Sequence, residues 1–296
     1  MSLGVLNNLS ATYAENALNN TNNSLQTVLQ QLSTGSQINS GADDPAGLAL
    51  VNGLQANQTA LTQSETNATE GVGLLQVADG ALSQVTSLLN RAVTLATEAS
   101  NGTLDASQLT AADAEYQSIL GEVANIGATT TYNQTAVFGA AGGVQIYTGD
   151  SSTTGASTDT LSIAALTDGS VGTASETVTY AAGAFTATST AGQSLTGTDL
   201  TSNANAETAL NDLNSAIADV SLQDGYVGSQ INTLNSISSV ESTQQENIQS
   251  AQNAVQATDY AAATTNLSKY EILSQTGISA LAQANSVQQE VTKLLQ

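Results

Sequence analysis

The 296-residue chain contains no cysteine and no histidine. It therefore cannot form a disulfide or a thiolate nucleophile, and it has no histidine to act as a metal ligand or a general base. The remaining residues show no complete metal, phosphate or dinucleotide motif, because the required spacings are missing. The sequence predicts no enzyme, no cofactor and no metal site.

Basic residues are nearly absent as well. Only Arg91, Lys269 and Lys293 stand against 25 acidic residues, which gives a formal net charge of −22. A nucleic-acid surface needs clustered lysine and arginine, and so does an anionic membrane surface, so neither partner is expected. The acids are scattered singly along the chain, which is typical of solvated surfaces.

Two further sequence features bear on location. We find no apolar run long enough to cross a bilayer, so no membrane insertion is expected. The first twenty residues lack a basic stretch and an apolar core, which is unlike a conventional secretory signal. If the protein acts outside the cell, another export route must carry it.

Bulky core residues are scarce. Aromatic residues make up 3% of the chain, with two Phe, no Trp and a single Pro. Alanine with regularly spaced Leu, Val and Ile is instead typical of helices that pack closely side by side. The composition predicts a mainly helical, elongated protein.

The stretch "NSGADDPAGLAL" (39–50) predicts a helix start. Asp44 occupies the N-cap position and Pro45 the first turn, where its missing N–H costs nothing. The helix is expected to continue to about Ser100, where "NGT" supplies a glycine stop. Every seventh residue along it is apolar, as expected for a coiled coil: Leu54, Leu61, Ala68, Leu75, Leu82, Leu89 and Ala96.

A second heptad frame lies near the other end of the chain and is interrupted only by Glu241. Its apolar members are Leu213, Val220, Val227, Leu234, Ile248 and Val255. Because the two segments have similar lengths, we expect them to pair antiparallel. Residues 104–127 predict a shorter helix with apolar steps of three and four.

The middle of the chain is β-rich. Val144–Tyr147 and Leu161–Ala164 predict two short strands, and a hairpin is expected around Gly183. Low-complexity disorder competes with this interpretation over residues 165–200.

Both ends are amphipathic, and each could pair with the other or with neighbouring copies. We predict subunit contacts at Leu6, Leu9, Tyr13, Leu25, Val28, Leu32, Leu267, Tyr270, Leu281, Val291 and Leu294. The predicted fold is mainly α, a long antiparallel coiled-coil rod with a small central β-rich insert. Its parts are an end helix (1–40), two rod halves (41–140 and 205–256), the insert (141–204) and a second end helix (257–296).

Three motifs resemble the bacterial flagellins: "LSTGSQINSGADDPAGLAL" (32–50), "GVGLLQVADGALSQVTSLLNR" (71–91) and "ILSQTGISALAQAN" (272–285). The resemblance covers about residues 1–140 and 205–296. It implies a D0/D1-type arrangement in which the end helices form an inner tube and the rods the next layer. Gln37 replaces the family's arginine, and most of the family's rod lysines and arginines are absent.

The resemblance also implies a function, a location and partners. The chain would polymerise into the extracellular flagellar filament after export through the flagellar type III apparatus, with a secretion chaperone on its C-terminal helix and junction and cap proteins as neighbours. A hook–filament junction protein has the same plan and is the nearest alternative. A signalling coiled coil would not explain the central β insert.

Arg91 is open to several interpretations. It could pair with Glu98 or another neighbour, or it could form a contact between chains. By resemblance, Arg91, Leu95 and Glu115 occupy the family's epitope for Toll-like receptor 5. However, Val93 and Thr94 replace the Arg–Glu pair that usually precedes that leucine, which counts against recognition.

Overall fold

The computed structural model describes residues 8–139, 143–149, 158–167, 169–181 and 184–294. Leu6 and Gly183 lie outside the described residues, as do the side chains of Val291 and Leu294. The elements in chain order are α1 (Leu9–Thr34), α2 (Pro45–Ser100), α3 (Ala106–Thr129), β1 (Thr131–Tyr132), β2 (Thr135–Ala136), β3 (Val144–Tyr147), β4 (Thr158–Leu161), β5 (Val171–Ala181), β6 (Ala184–Gln193), α4 (Asn203–Gln256) and α5 (Tyr260–Leu294).

The predicted cap of α2 is confirmed. Oδ1 of Asp44 accepts hydrogen bonds from the backbone N–H groups of Ala46 and Gly47, both at 3.0 Å, and the helix begins at Pro45. Asp43 binds the preceding turn instead, because its Oδ2 accepts from the backbone N–H groups of Asn39 (3.1 Å) and Ser40 (2.8 Å). These hydrogen bonds, that from Asn39 foremost, lower the pKa of Asp43. The two acids therefore order the turn and the helix start together.

The predicted boundary between α2 and α3 is also confirmed. α2 ends at Ser100, and Gly102 adopts a left-handed conformation with φ of +70°. α3 then begins with a capping box, in which Asp105 accepts from the backbone of Gln108 and the Gln108 side chain accepts from the backbone of Asp105. The reciprocal bonds satisfy N–H groups that a helix start leaves unpaired.

The chain divides into two compact units. Unit 1 consists of Met1–Ala56 and Asn247–Gln296, and unit 2 consists of Asn57–Glu246. The division falls within α2 and within α4.

In unit 2, α2 and α4 pair antiparallel, as predicted. Ser64 donates to Glu241, and Gln245 donates to Glu65 over 3.3 Å. At the other end of the pair, Asn203 donates to the carbonyl of Ser100 over 3.3 Å. Residue numbers rise along α2 as they fall along α4, so the two directions are opposite.

Most of the predicted heptad residues form the core of unit 2, whereas Leu54, Ile248 and Val255 belong to unit 1 and are only half-buried. Leu75, Leu82 and Leu89 of α2 and Leu213, Val220, Val227 and Leu234 of α4 all have no exposed surface. α3 contributes the fully buried Tyr116, whose hydroxyl lies 2.6 Å from the Thr198 hydroxyl. Three helices thus contribute to the core, and Tyr116 is its largest fully buried side chain.

The apolar composition of α2 has a consequence that the sequence analysis missed. Contrary to our expectation, α2 is long and apolar enough to cross a membrane by length and composition. Leu75, Leu82 and Leu89 are nevertheless enclosed by the helices of unit 2. Core packing accounts for these apolar residues, as it does in the core helices of water-soluble proteins.

The insert contains a four-stranded sheet in the order β3–β4–β6–β5. The β4–β6 pair is parallel and the other two pairs are antiparallel. The β5–β6 hairpin confirms strands in a segment for which disorder was the alternative.

One predicted strand was misplaced by three residues. β4 spans Thr158–Leu161 rather than Leu161–Ala164, because its ladder to β3 pairs Val144 with Leu161 and Tyr147 with Thr158. Ile163 and Ala164 are buried beyond the strand, and Gln223 donates to the Ala164 carbonyl over 3.3 Å. Burial in a connecting segment, and not strand pairing, explains the second half of that apolar run.

A small hairpin was not predicted. β1 and β2 pair Thr131 with Ala136, and the turn between them places Asn133 and Gln134 at φ of +46° and +66°. Two consecutive left-handed residues are typical of a tight hairpin turn, and asparagine tolerates that conformation better than most residues. The turn ends the helical part of the N-terminal half.

In unit 1, α1 and α5 pair antiparallel. Asn8 donates to the Ala284 carbonyl over 2.9 Å, and Ser274 lies 3.3 Å from Asn22. At the other end of α1, Gly35 caps the helix at φ of +72°, and a Cβ atom there would lie 2.9 Å from the Tyr260 hydroxyl. Both the backbone conformation and the close approach require glycine.

Candidate assembly surface

Unit 1 buries few apolar side chains. Among its described residues, only Val28, Ile38, Val51 and Ala263 are buried hydrophobic residues. A pair of helices can cover only the facing stripe of each partner, and the rest of each helix meets solvent unless another layer is added. α1 and α5 therefore carry most of the large apolar side chains that are exposed in the described chain.

The predicted contact residues fall into two groups. Leu9 and Tyr13 are 64% and 67% exposed, one helical turn apart on α1. Val28 is buried, and five others are half-buried within the subunit: Leu25, Leu32, Leu267, Tyr270 and Leu281. Whether any of them contacts a second subunit stays a prediction. For Leu6, and for the side chains of Val291 and Leu294, the structure describes no surroundings.

Further exposed apolar residues were not predicted. Large hydrophobic residues are also exposed at Leu29, Leu50, Tyr260, Ile272, Leu273, Ile278 and Val287. Ile272 and Ile278 are 66% and 58% exposed, although both lie in the third motif. Apolar residues repeating at the helical period identify the better-buried side of each helix, and these residues lie on other sides. Their apolar character at positions off that period was the signal that could have identified them.

Charge separates the two units as well. Unit 2 carries 19 acidic residues and one basic residue, for a net charge of −18, whereas unit 1 carries six and two, for −4. Like charge opposes close approach of copies less at unit 1 than at unit 2. We call the exposed apolar residues of α1 and α5 the assembly surface: Leu9, Tyr13, Leu29, Tyr260, Ile272, Leu273, Ile278 and Val287.

Arg91 pairs with Glu115, which was not named among its predicted partners. Its Nε and NH2 atoms lie 2.8 and 2.7 Å from Oε1 of Glu115 on α3, so the pair joins two helices and does not involve Glu98. Both side chains remain about half exposed. Leu95 is only 4% exposed. A receptor contact here stays a prediction that depends on Arg91 and Glu115, because Leu95 is covered within the subunit.

The assembly surface is suited to association with other apolar surfaces. It presents apolar side chains on two long helices that lack a covering layer, while unit 2 has a closed core and an acidic surface. Long paired terminal helices with an unused apolar face are the features of a structural subunit that polymerises.

Comparison with known families identifies which kind of polymerising subunit the chain is. The bacterial flagellin N-terminal helical region matches residues 5–142, and the bacterial flagellin C-terminal helical region matches residues 210–295. The chain belongs to the bacterial flagellin family. It is a structural subunit of the extracellular flagellar filament, and it polymerises with copies of itself.

Two relatives match almost end to end. A flagellin of Listeria monocytogenes is 31% identical over 294 residues, covering 97% of this chain and 98% of that one. A flagellar filament 33 kDa core protein of Treponema phagedenis is 30% identical with the same coverage. Both names describe filament proteins, and neither favours a junction protein.

Two solved structures are similar to this chain. The crystal structure of Bacillus cereus flagellin is 26% identical and covers 59% of this chain and 88% of that one, with a TM-score of 0.46. A flagellar hook-associated protein from Vibrio parahaemolyticus is 16% identical and covers 73% and 100%, with a TM-score of 0.52. At 16% identity, the similarity to the hook-associated protein concerns the fold alone.

Proposed function

We propose that the assembly surface supplies the contacts between subunits in the filament, with Ile272 and Ile278 of α5 at its centre. The observation that carries this proposal is the exposure of nine large hydrophobic side chains in unit 1, against four buried hydrophobic residues. Burying one such side chain is worth roughly 1.5–3 kcal/mol. The eight side chains of the assembly surface are between 43% and 67% exposed, so their burial contributes a free energy comparable with the cost of association, which is about 4–15 kcal/mol.

The local structure of α1 and α5 supports this role. Isolated helices are marginally stable in water without a partner face. Here each helix has one partner, so one stripe of each is covered and the other is free. A second copy that offers the same surface would cover that free stripe and add a third layer.

The test is a double substitution, Ile272→Ser with Ile278→Ser. The matched control is Leu222→Ser with Val240→Ser, which removes two exposed hydrophobic residues from α4 in unit 2. We expect the first variant to lose seeded polymerisation, measured by sedimentation and negative-stain microscopy, while circular dichroism of the monomer stays unchanged. The control should still form filaments. If the first variant polymerises as well as the control, α5 does not supply the contacts.

We further propose that the chain reaches the filament through the flagellar type III apparatus, without a cleaved signal peptide. A secretion chaperone would cover the apolar stripe of α5 before export, and junction and cap proteins would meet the same helices at the filament ends. The supporting observation is again the stripe on α5, which would favour aggregation if left uncovered inside the cell. Loss of binding between the full chain and its flagellar chaperone on deletion of 258–296 tests the chaperone's location.

A further inference from the structure

Glu241 is the one interruption of the second heptad frame, and the function described so far does not explain it. It lies in the core stripe of α4 and is only 3% exposed. Ser64, which faces it from α2, is 1% exposed. A carboxyl group buried between two helices needs partners that compensate for the loss of water.

Hydrogen bonds connect Glu241 to two other segments. The backbone N–H of Gly149, just after β3, donates to Oγ of Ser64 over 2.6 Å, and the Ser64 hydroxyl donates to Oε1 of Glu241. Asn67 donates to the carbonyl of Tyr147 over 3.1 Å. This chain of bonds links α4, α2 and the end of the first insert strand.

The surroundings of Glu241 do not favour an ionised carboxylate. Its Oε2 atom is buried without a hydrogen-bond partner among the described residues. Glu65 on α2, which has the same sign, is the charged group that acts on Glu241. Gly149 approaches Ser64 from the end of β3, and Asp150, the residue after Gly149, lies outside the described residues. Burial raises the pKa of Glu241, and Glu65 raises it further, against the opposing effect of the Ser64 hydrogen bond.

No basic side chain of unit 2 is available to neutralise Glu241. The only basic residue in unit 2 is Arg91, and it pairs with Glu115 on α3. A proton on the Glu241 carboxyl group itself therefore removes the buried charge.

We propose that folded unit 2 holds a proton on Glu241, so that mild acid strengthens the packing of α2 on α4. The folded state then binds more protons than the unfolded chain between the ordinary pKa and the raised one. The resulting stability is present at low pH and is lost as pH rises through the folded pKa. The effect belongs to the single subunit and does not depend on assembly.

The experiment is urea unfolding of the full-length monomer between pH 7.5 and mildly acidic pH, followed by the near-ultraviolet dichroism of its tyrosines. Each group that takes up a full proton makes the folding equilibrium constant change about tenfold per pH unit within its window. Glu241→Gln imitates the neutral acid. We expect this variant to be more stable than the wild type at pH 7.5. Its folding equilibrium constant should also vary less steeply with pH than that of the wild type, by up to about tenfold per pH unit.

Glu246→Gln is the matched control, because it removes one charge from an exposed position of α4. It should keep the wild-type slope. If Glu241→Gln also keeps the wild-type slope, the proposal is wrong. If Glu241→Gln does not fold, the titration of Glu241 in the wild type can be followed by NMR at its carboxyl carbon. Titration above the ordinary glutamate range supports the proposal. Titration at or below that range overturns it.

Discussion

Among the described residues, unit 2 buries 33 hydrophobic side chains and exposes three large ones, whereas unit 1 buries four and exposes nine. Both units are built on long helices. In unit 2, residues of α3 and of the insert share the buried core with α2 and α4, whereas the described core of unit 1 is limited to the four residues. Unit 2 thus completes its core within one chain, while we propose that unit 1 is covered by other copies.

Charge follows the same division. Unit 2 has a net charge of −18, and unit 1 has −4. A surface that must approach copies of itself benefits from low charge, whereas a self-contained unit benefits from charge that keeps it soluble. On our proposal, the net charge is lowest in the part of the chain that contacts other copies.

Removing one helix from unit 1 is expected to have the largest effect. Deletion of residues 258–296 removes the partner of α1 together with most of the assembly surface. Seeded polymerisation should be abolished, while the monomer keeps the cooperative unfolding of unit 2. Sedimentation after seeding, together with thermal unfolding by circular dichroism, checks both halves of this expectation. Filaments formed by the truncated chain would contradict the assigned roles of the two units.

A core substitution in unit 2 should instead lower the stability of unit 2. Leu82→Ala removes a side chain with no exposed surface, and leucine-to-alanine changes in cores cost about 2–5 kcal/mol. Urea unfolding measures this loss in the free energy of unfolding. The matched control, Leu29→Ala in unit 1, truncates a leucine that is 48% exposed and should cost less than about 0.5 kcal/mol. Equal losses would show that unit 2 has no closed core of its own.

The smallest expected effect compares one helix cap in each unit. Asp105→Ala removes the cap of α3 and should lower the free energy of unfolding of unit 2, by less than Leu82→Ala does. Asp44→Ala removes the cap of α2 within unit 1. It should speed hydrogen exchange at the Ala46 and Gly47 amides and leave the unfolding of unit 2 unchanged. A fall in unit 2 stability on Asp44→Ala would mean that the two units do not unfold separately.

Local rules accounted for most of the helical structure. The start of α2 at Pro45, its end at Ser100 and the buried heptads follow from capping residues, a glycine stop and a seven-residue period. Each of these acts over a few neighbouring residues, so a sequence displays it directly. The β4 boundary was missed because burial of Ile163 and Ala164 in a connecting segment produces the same apolar pattern as a strand.

Part of the assembly surface was predictable and part was not. Leu9 and Tyr13 were predicted, and both are exposed. Ile272 and Ile278 were not, because α5 carries apolar residues on more than one side. Which side α1 covers depends on the register between helices that are more than two hundred residues apart in the chain.

The sequence by itself determined that this protein has long helices, capped starts, a β-rich insert, a strong negative charge and no cysteine or histidine chemistry. It did so because helix period, capping and composition are local properties. Only the tertiary structure decided that Arg91 pairs with Glu115, that Glu241 lies against Ser64 in the core, and which apolar residues of α5 remain exposed. Those outcomes depend on contacts between distant segments, and the same local pattern is compatible with more than one of them.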